Sequence, residues 1–248
     1  MLDKRNGTRS IDPDELQRVN KIRRDFVANV SHELKTPATS LKLLAESLEE
    51  TLDEDPVQAR LFAGQLRQET ERLAHLINDL LDLTRLESQE PTDYPTLVDV
   101  RGILMTVLAR MRRVARRKDI TLQWKRFGTA ASYTVYGDET QLTSMFTNLV
   151  DNAVQYTPPG GRVEVIGGSE GAEIIISISD TGIGIPGDKI PRIFERFYRV
   201  DKARSKATGG TGLGLSIVRH VAQNHGGRVT VESTPNEGST FTVYLPRG

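Results

Sequence analysis

From Ile22 onward, the apolar residues Phe26, Val30, Leu34, Leu41, Leu44 and Leu48 return at helical spacing. A stretch with that period is a helix with one stripe to bury, and everything attached to it must accommodate about seven turns of rod. The expected helix covers residues 16–52. His32 lies two positions from both Val30 and Leu34. At about 100° per residue, that turns its imidazole away from the stripe and toward solvent. Pro37 has no amide hydrogen, so the Glu33 carbonyl loses its helical partner and the helix is expected to bend just past the histidine. A lone exposed histidine reads first as a solvated surface residue. A neighbouring carboxylate and a local distortion also suit a histidine that reacts with a group arriving from outside.

Asp53-Glu54-Asp55-Pro56 is a turn, with Asp55 placed to cap a second helix whose first position is Pro56. That helix carries Phe62, Leu66, Leu73, Leu76, Leu80 and Leu83 and should end near Glu87. Two such helices on a short acidic turn form an antiparallel hairpin, which cannot cover two wide stripes by itself. A homodimeric four-helix bundle is therefore expected. Residues 1–15 read as a polar leader, 16–90 as the hairpin and 91–96, with two prolines, as a linker. The chain of 248 residues contains no cysteine, which leaves out disulfides and sulfur-bound zinc. No apolar run approaches the roughly 18 residues of a membrane span, and the N-terminus lacks a signal-peptide core.

The net charge of zero conceals an asymmetry. The first 92 residues carry 13 basic and 18 acidic side chains, and the remainder carry 20 and 15. An acidic part joined to a basic part argues for two domains, the second able to favour an anionic ligand. Residues 97–248 are expected to form an α+β two-layer sandwich. Strands are predicted at 96–99, 119–126, 133–136, 162–167, 172–179, 227–233 and 239–245. Helices are predicted at 100–117, 138–155 and 211–225, with 181–210 irregular. Gly167-Gly168 is read as opening the turn after the fourth of these strands, and Trp124 as a core residue. The basic run from Arg110 to Lys118 spreads its charge around a helix, which favours a solvated surface over nucleic-acid binding.

Four features of this second part converge on one ligand. Asn148 and Asn152 are one helical turn apart, and paired amide oxygens suit a hard cation such as Mg²⁺. Asp180 follows the apolar strand Ile174-Ile175-Ile176-Ser177-Ile178, where a carboxylate can accept from an amino group. Gly182 and Gly184 then let a planar ring approach the backbone. Glycines 209, 210, 212 and 214 open a helix, a seat for phosphate. Between the glycine motifs lie Phe194, Phe197 and a basic segment with Arg199, Lys202, Arg204 and Lys206, the composition of a lid over an anion. Each feature alone is also what a wet helix, a turn or a loop looks like; their order makes the signal specific. A Rossmann reading fails for want of an early βαβ unit, and no P-loop motif occurs.

In this order the motifs resemble the H, N, first G, F and second G boxes of bacterial two-component sensor histidine kinases, over residues 16–246. The resemblance implies a dimeric phosphotransfer hairpin followed by an ATP-binding domain of the GHKL group. It makes His32 the phosphoacceptor, Glu33 the base that orients or deprotonates it, and Thr36 a residue that helps place water for dephosphorylating the partner regulator. Asn148 and Asn152 would hold Mg²⁺, Tyr156 would pack near the adenine, and Asp180 would accept from the adenine amino group. Gly182, Gly184, Gly210, Gly212 and Gly214 would shape the pocket, and Arg199 would contact the terminal phosphate of ATP. Gln155 stands where the family commonly has Lys.

The implied activity is ATP-dependent autophosphorylation on His32, then transfer to an aspartate of a response-regulator receiver domain, with regulator dephosphorylation as a second activity. The implied location is the cytoplasm, with membrane attachment only through segments absent from this chain. The rival is an ATP-gated GHKL-type scaffold without phosphotransfer. Hydrolases of that group usually carry Glu four residues before the second asparagine, and here that position is Asn148, which has no basic oxygen to activate water. His75, His220, His225 are read as structural or solvated.

Overall fold

The computed structural model describes residues 13–88, 96–127, 133–201 and 210–248. Most of the leader, nearly all of the linker, and Lys202, Arg204, Lys206 and Gly209 of the basic segment lie outside these residues. The chain divides into two compact units, Met1–Ala74 and His75–Gly248.

The first unit contains α1 (Pro13–Thr51) and the first half of α2 (Pro56–Ser88). α1 starts at Pro13, where a missing N–H costs nothing, and continues through Pro37. Asp55 Oδ1 accepts from the amides of Val57 at 3.0 Å and Gln58 at 3.1 Å, the expected cap. Phe26, Val30, Leu34, Leu41, Leu44 and Leu48 remain only half-buried. Val27, Leu43 and Leu61 are each 57% exposed, so a single copy of the hairpin leaves much apolar surface in water.

The second unit begins with the second half of α2. It continues through β1 (Thr96–Asp99), α3 (Val100–Arg117), β2 (Thr121–Arg126), β3 (Thr134–Gly137), α4 (Glu139–Tyr156), β4 (Arg162–Glu170) and β5 (Glu173–Asp180). After a short 3₁₀ turn at Ile190–Arg192 come α5 (Gly214–Asn224), β6 (Arg228–Thr234) and β7 (Gly238–Pro246). Five strands form one mixed sheet in the order β2-β4-β5-β7-β6, with β2 and β4 parallel and the other pairs antiparallel; β1 and β3 pair separately.

Strand periodicity builds the core. In β5, Ile174, Ile176 and Ile178 are buried while Ile175, Ser177 and Ser179 are not. Val163 and Val165 of β4 and Phe241, Val243 and Leu245 of β7 are also buried, as are Leu142, Met145, Phe146, Leu149, Val150, Ala153 and Val154 of α4. Asp99 and Asp138 cap α3 and α4 by accepting from amides of their first turns.

Three local readings need correction. β4 runs straight through Gly167-Gly168, and the turn falls at Gly171. The two glycines are bare because a Cβ on Gly167 would collide with the Trp124 ring and one on Gly168 with the Phe127 ring. Trp124 is half-buried, since β2 is an edge strand. Lys118 ends α3 instead of joining its solvated face: its ammonium donates to the carbonyls of Val154 at 2.8 Å and Gln155 at 2.9 Å. A cation there meets the orphan carbonyls and the negative end of α4. Burial of this lysine draws its pKa below the ordinary value.

Candidate functional site

The first unit carries the histidine singled out by the sequence, His32. His32 has 76% of its side chain exposed, as the stripe geometry predicts, and its Nδ1 stands 3.7 Å from Glu33 Oε1. Glu33 is the less exposed of the two. The Thr36 hydroxyl donates to the His32 carbonyl at 3.2 Å. It thus offers that oxygen a side-chain hydrogen bond one turn later, beside the Glu33 carbonyl that Pro37 deprives of its amide.

The second unit brings together residues that are far apart in sequence. Asp180 continues the β5 alternation, so it shares a face with Ile174, Ile176 and Ile178 and is buried at the strand end. Its Oδ1 accepts from the Gly182 amide at 2.8 Å. Burial raises its pKa above the ordinary carboxylate value, and the amides of Gly182 and Ser239 pull it back in part. Gly182 lies against α4: a Cβ there would stand 2.7 Å from the Tyr156 carbonyl. That carbonyl also accepts from the Ile183 amide at 3.3 Å.

Gly184 sits at φ +64°, a conformation that favours glycine, with the Thr234 carbonyl where a side chain would begin. The second glycine loop closes on the same region. A Cβ on Gly210 would come within 3.4 Å of the Tyr156 hydroxyl, and one on Gly214 would strike Asn148 Oδ1. Gly212, at φ +74°, packs backbone to backbone with Phe197; its carbonyl accepts from the Phe197 amide at 2.8 Å. Phe197 itself adopts φ +61°, so the F-box residue is held in an uncommon conformation against the loop.

Asn148 donates through Nδ2 to the Ser144 carbonyl at 3.0 Å, which leaves its amide oxygen turned toward Gly214. Asn152 follows one turn later and is partly buried. Amide oxygens of this kind fit a hard cation completed by phosphate and water. No group of three or more His, Cys, Asp or Glu that could cage a metal occurs among the described residues. Arg199 is partly buried at the end of the segment that precedes residues 202–209.

Two supporting residues have partners that the sequence reading did not specify. Lys118 braces the last turn of α4, the turn that carries Gln155 and Tyr156. His225 accepts at Nε2 from the Asp138 amide at 3.0 Å, and its Nδ1 lies 2.8 Å from the Val221 carbonyl. It therefore ties the start of α4 to the end of α5 as a neutral imidazole with its proton on Nδ1. Neither role leaves a local signal, because the partner lies tens of residues away.

A helical hairpin followed by an α/β sandwich is the domain order of sensor kinases, and comparison with known proteins agrees. The family model described as "His Kinase A (phospho-acceptor) domain" matches residues 22–89. That described as "Histidine kinase-, DNA gyrase B-, and HSP90-like ATPase" matches residues 137–248. The chain is 45% identical over 235 residues to the sensor-like histidine kinase SenX3 of Mycolicibacterium smegmatis, covering 95% of this chain and 60% of that protein. The chain spans 56–60% of the length of the SenX3 relatives and 38% of that of the WalK sensor kinases it also matches. Among solved structures, the mycobacterial sensor histidine kinase MprB is 32% identical, with a TM-score of 0.53 over 61% of this chain and 97% of that one. The histidine kinase ThkA, solved in complex with the response regulator TrrA, shares the fold over 97% of this chain and 68% of that one, at 20% identity and a TM-score of 0.71. The chain belongs to the sensor histidine kinases, of which it carries the phosphoacceptor hairpin and the ATPase-like domain. Among the described residues no helix is long and apolar enough to cross a membrane.

Proposed function

We propose that this chain is an ATP-dependent protein-histidine kinase that phosphorylates itself on His32 and passes the phosphoryl group to an aspartate of a response regulator. The observation that carries this reading is the outward imidazole of His32, with Nδ1 facing Glu33, in a segment matched by a phosphoacceptor family. A carboxylate on the Nδ1 side favours the tautomer whose lone pair is on Nε2, the nucleophilic nitrogen. A bond then forms between Nε2 and the γ-phosphorus of ATP. The bond from that phosphorus to the bridging oxygen breaks, and ADP leaves. The phosphoryl group next moves from nitrogen to a regulator carboxylate, and His32 is restored.

Asp180 would accept from the adenine amino group, Tyr156 would pack beside the base, and the two glycine loops would admit the nucleotide closely. Asn148 and Asn152 would hold Mg²⁺, which neutralises phosphate charge in such transfers. Arg199 would reach the terminal phosphate, and Thr36 would serve regulator dephosphorylation. The half-exposed stripe of α1 supports a homodimer, which sedimentation would show as twice the chain mass. We assign residues 16–90 to the phosphotransfer hairpin and 97–248 to nucleotide binding. The cytoplasm, where ATP and receiver domains are found, is the proposed place of action, with any membrane anchor lying in segments other than these.

Incubation with γ-labelled ATP and Mg²⁺ tests the assignment. The expected result is acid-labile, base-stable label on the wild type and none on His32→Gln. Free phosphate released without labelled protein would favour an ATP-hydrolysing scaffold instead.

A further inference from the structure

The second half of α2 is built into the nucleotide-binding unit through side chains on a single face. Positions 79, 82, 83 and 86 follow the three-and-four spacing of one helical face, and Leu83 and Leu86 are buried there. Asp82 Oδ2 accepts from the Ser144 hydroxyl of α4 at 2.9 Å. The Leu86 carbonyl lies 3.1 Å from His220 Nε2 of α5. Asp79 Oδ2 accepts from the Thr211 hydroxyl at 2.6 Å.

The last of these bonds reaches into the second glycine loop. Thr211 lies between Gly210 and Gly212, and its hydroxyl oxygen also accepts from the Leu213 amide at 3.2 Å. A hydroxyl has one proton to give. With that proton directed to Asp79, a lone pair is left to meet the Leu213 amide, and the loop at the start of α5 is held in one shape. A carboxylate on a different helix thereby sets the orientation of a group inside the phosphate-binding loop. The carboxylate is partly buried, and burial pushes its pKa to about 6 despite the Thr211 hydrogen bond and His75, with Asp82 and Asp151 adding to the rise. Keeping an acid in such a place without a hydrogen-bonded partner would be costly.

We infer that Asp79 is a positioning residue for nucleotide binding: through Thr211 it holds the glycine loop in the shape that receives the phosphates. This rests on the reading of the second unit as the ATP site. What Asp79 must supply is an acceptor, and a neutral amide oxygen supplies one as well.

The test uses the whole chain and a fluorescent ATP analogue, with thermal melting of every variant to confirm folding. Asp79→Asn is expected to bind the analogue as the wild type does. Asp79→Leu, which keeps the bulk and removes the acceptor, is expected to bind on the order of tenfold more weakly, the size of a lost hydrogen bond to a charged group. Thr211→Ser should retain affinity and Thr211→Val should lose it. The double variant Asp79→Leu/Thr211→Val should bind no more weakly than Thr211→Val alone, since both act through one hydroxyl. Wild-type affinity in a folded Asp79→Leu protein, tighter binding by it, or fully additive losses would overturn the proposal. Failure of the wild type to bind the analogue would instead overturn the ATP-site reading beneath it.

Discussion

Asp180, proposed to accept from the adenine amino group, shows how one buried carboxylate is kept at some cost to the fold. Its carboxylate is buried at a strand end with two amides directed at it, and its pKa is still raised, so burial outweighs the hydrogen bonds. A group whose folded pKa exceeds its unfolded value weakens the folded state above that range of pH. Asp180→Asn is therefore expected to melt no lower than the wild type at pH 7.5. It should bind ATP about 10- to 100-fold more weakly, because an amide can present a donor where the adenine amino group needs an acceptor. Paired thermal melts and nucleotide titrations check both halves, and lower stability together with unchanged affinity would contradict the assigned role. This residue was legible in the sequence: a hydrophobic strand ending in Asp and followed by two spaced glycines carries its own geometry. Lys118 was not, because a lysine at the end of a basic helix shows nothing of the carbonyls 36 and 37 residues away that it serves.

Among the elements, helix ends and their partners decide how the site is held. α4 carries Asn148, Asn152 and Tyr156, and it is fastened at both ends by side chains from elsewhere: Lys118 at its last turn and His225 at its cap residue. His225→Phe would leave the half-buried Asp138 amide without its acceptor, at a cost of about 1 kcal/mol, the low end for an unsatisfied polar group. Urea unfolding should register that loss, while label on His32 should persist at temperatures well below the melt. The helices and strands themselves were readable to within a few residues because periodicity is local. Gly167-Gly168 misled because a glycine pair in a turn and a glycine pair beneath aromatic rings are the same two letters. What separates them is the Trp124 and Phe127 rings, which come from a segment some forty residues earlier and reach the glycines only through the parallel pairing of β2 with β4.

For the molecule as a whole, charge, motif order and the proline-rich break set the expected boundary at 91–96, whereas the two compact units divide between Ala74 and His75, inside α2. A helix read as half of a hairpin also contributes Asp79, Asp82 and Leu86 to contacts inside the unit that begins at His75. One consequence is a pH signature. Asp79 is drawn from 3.8 to about 6. Its contribution to stability is therefore complete below the lower value and lost as pH rises through the upper one. Asp79→Asn, which carries no charge at any pH, should melt higher than the wild type above pH 6, with the gap closing as pH falls from 6 to 4. A series of melts across that range measures the gap, and a constant difference would show that the carboxylate is not strained by its surroundings. β5 carries a further consequence. Because Asp180 owes its inward direction to an even count from Ile174, Ile176 and Ile178, the strand obeys a parity rule. Adding or deleting one residue between Ile178 and Asp180 would aim the acid at the opposite surface, and one placed earlier would turn buried isoleucines outward as well, whereas a change of length in the turn at Gly171 leaves both directions as they are.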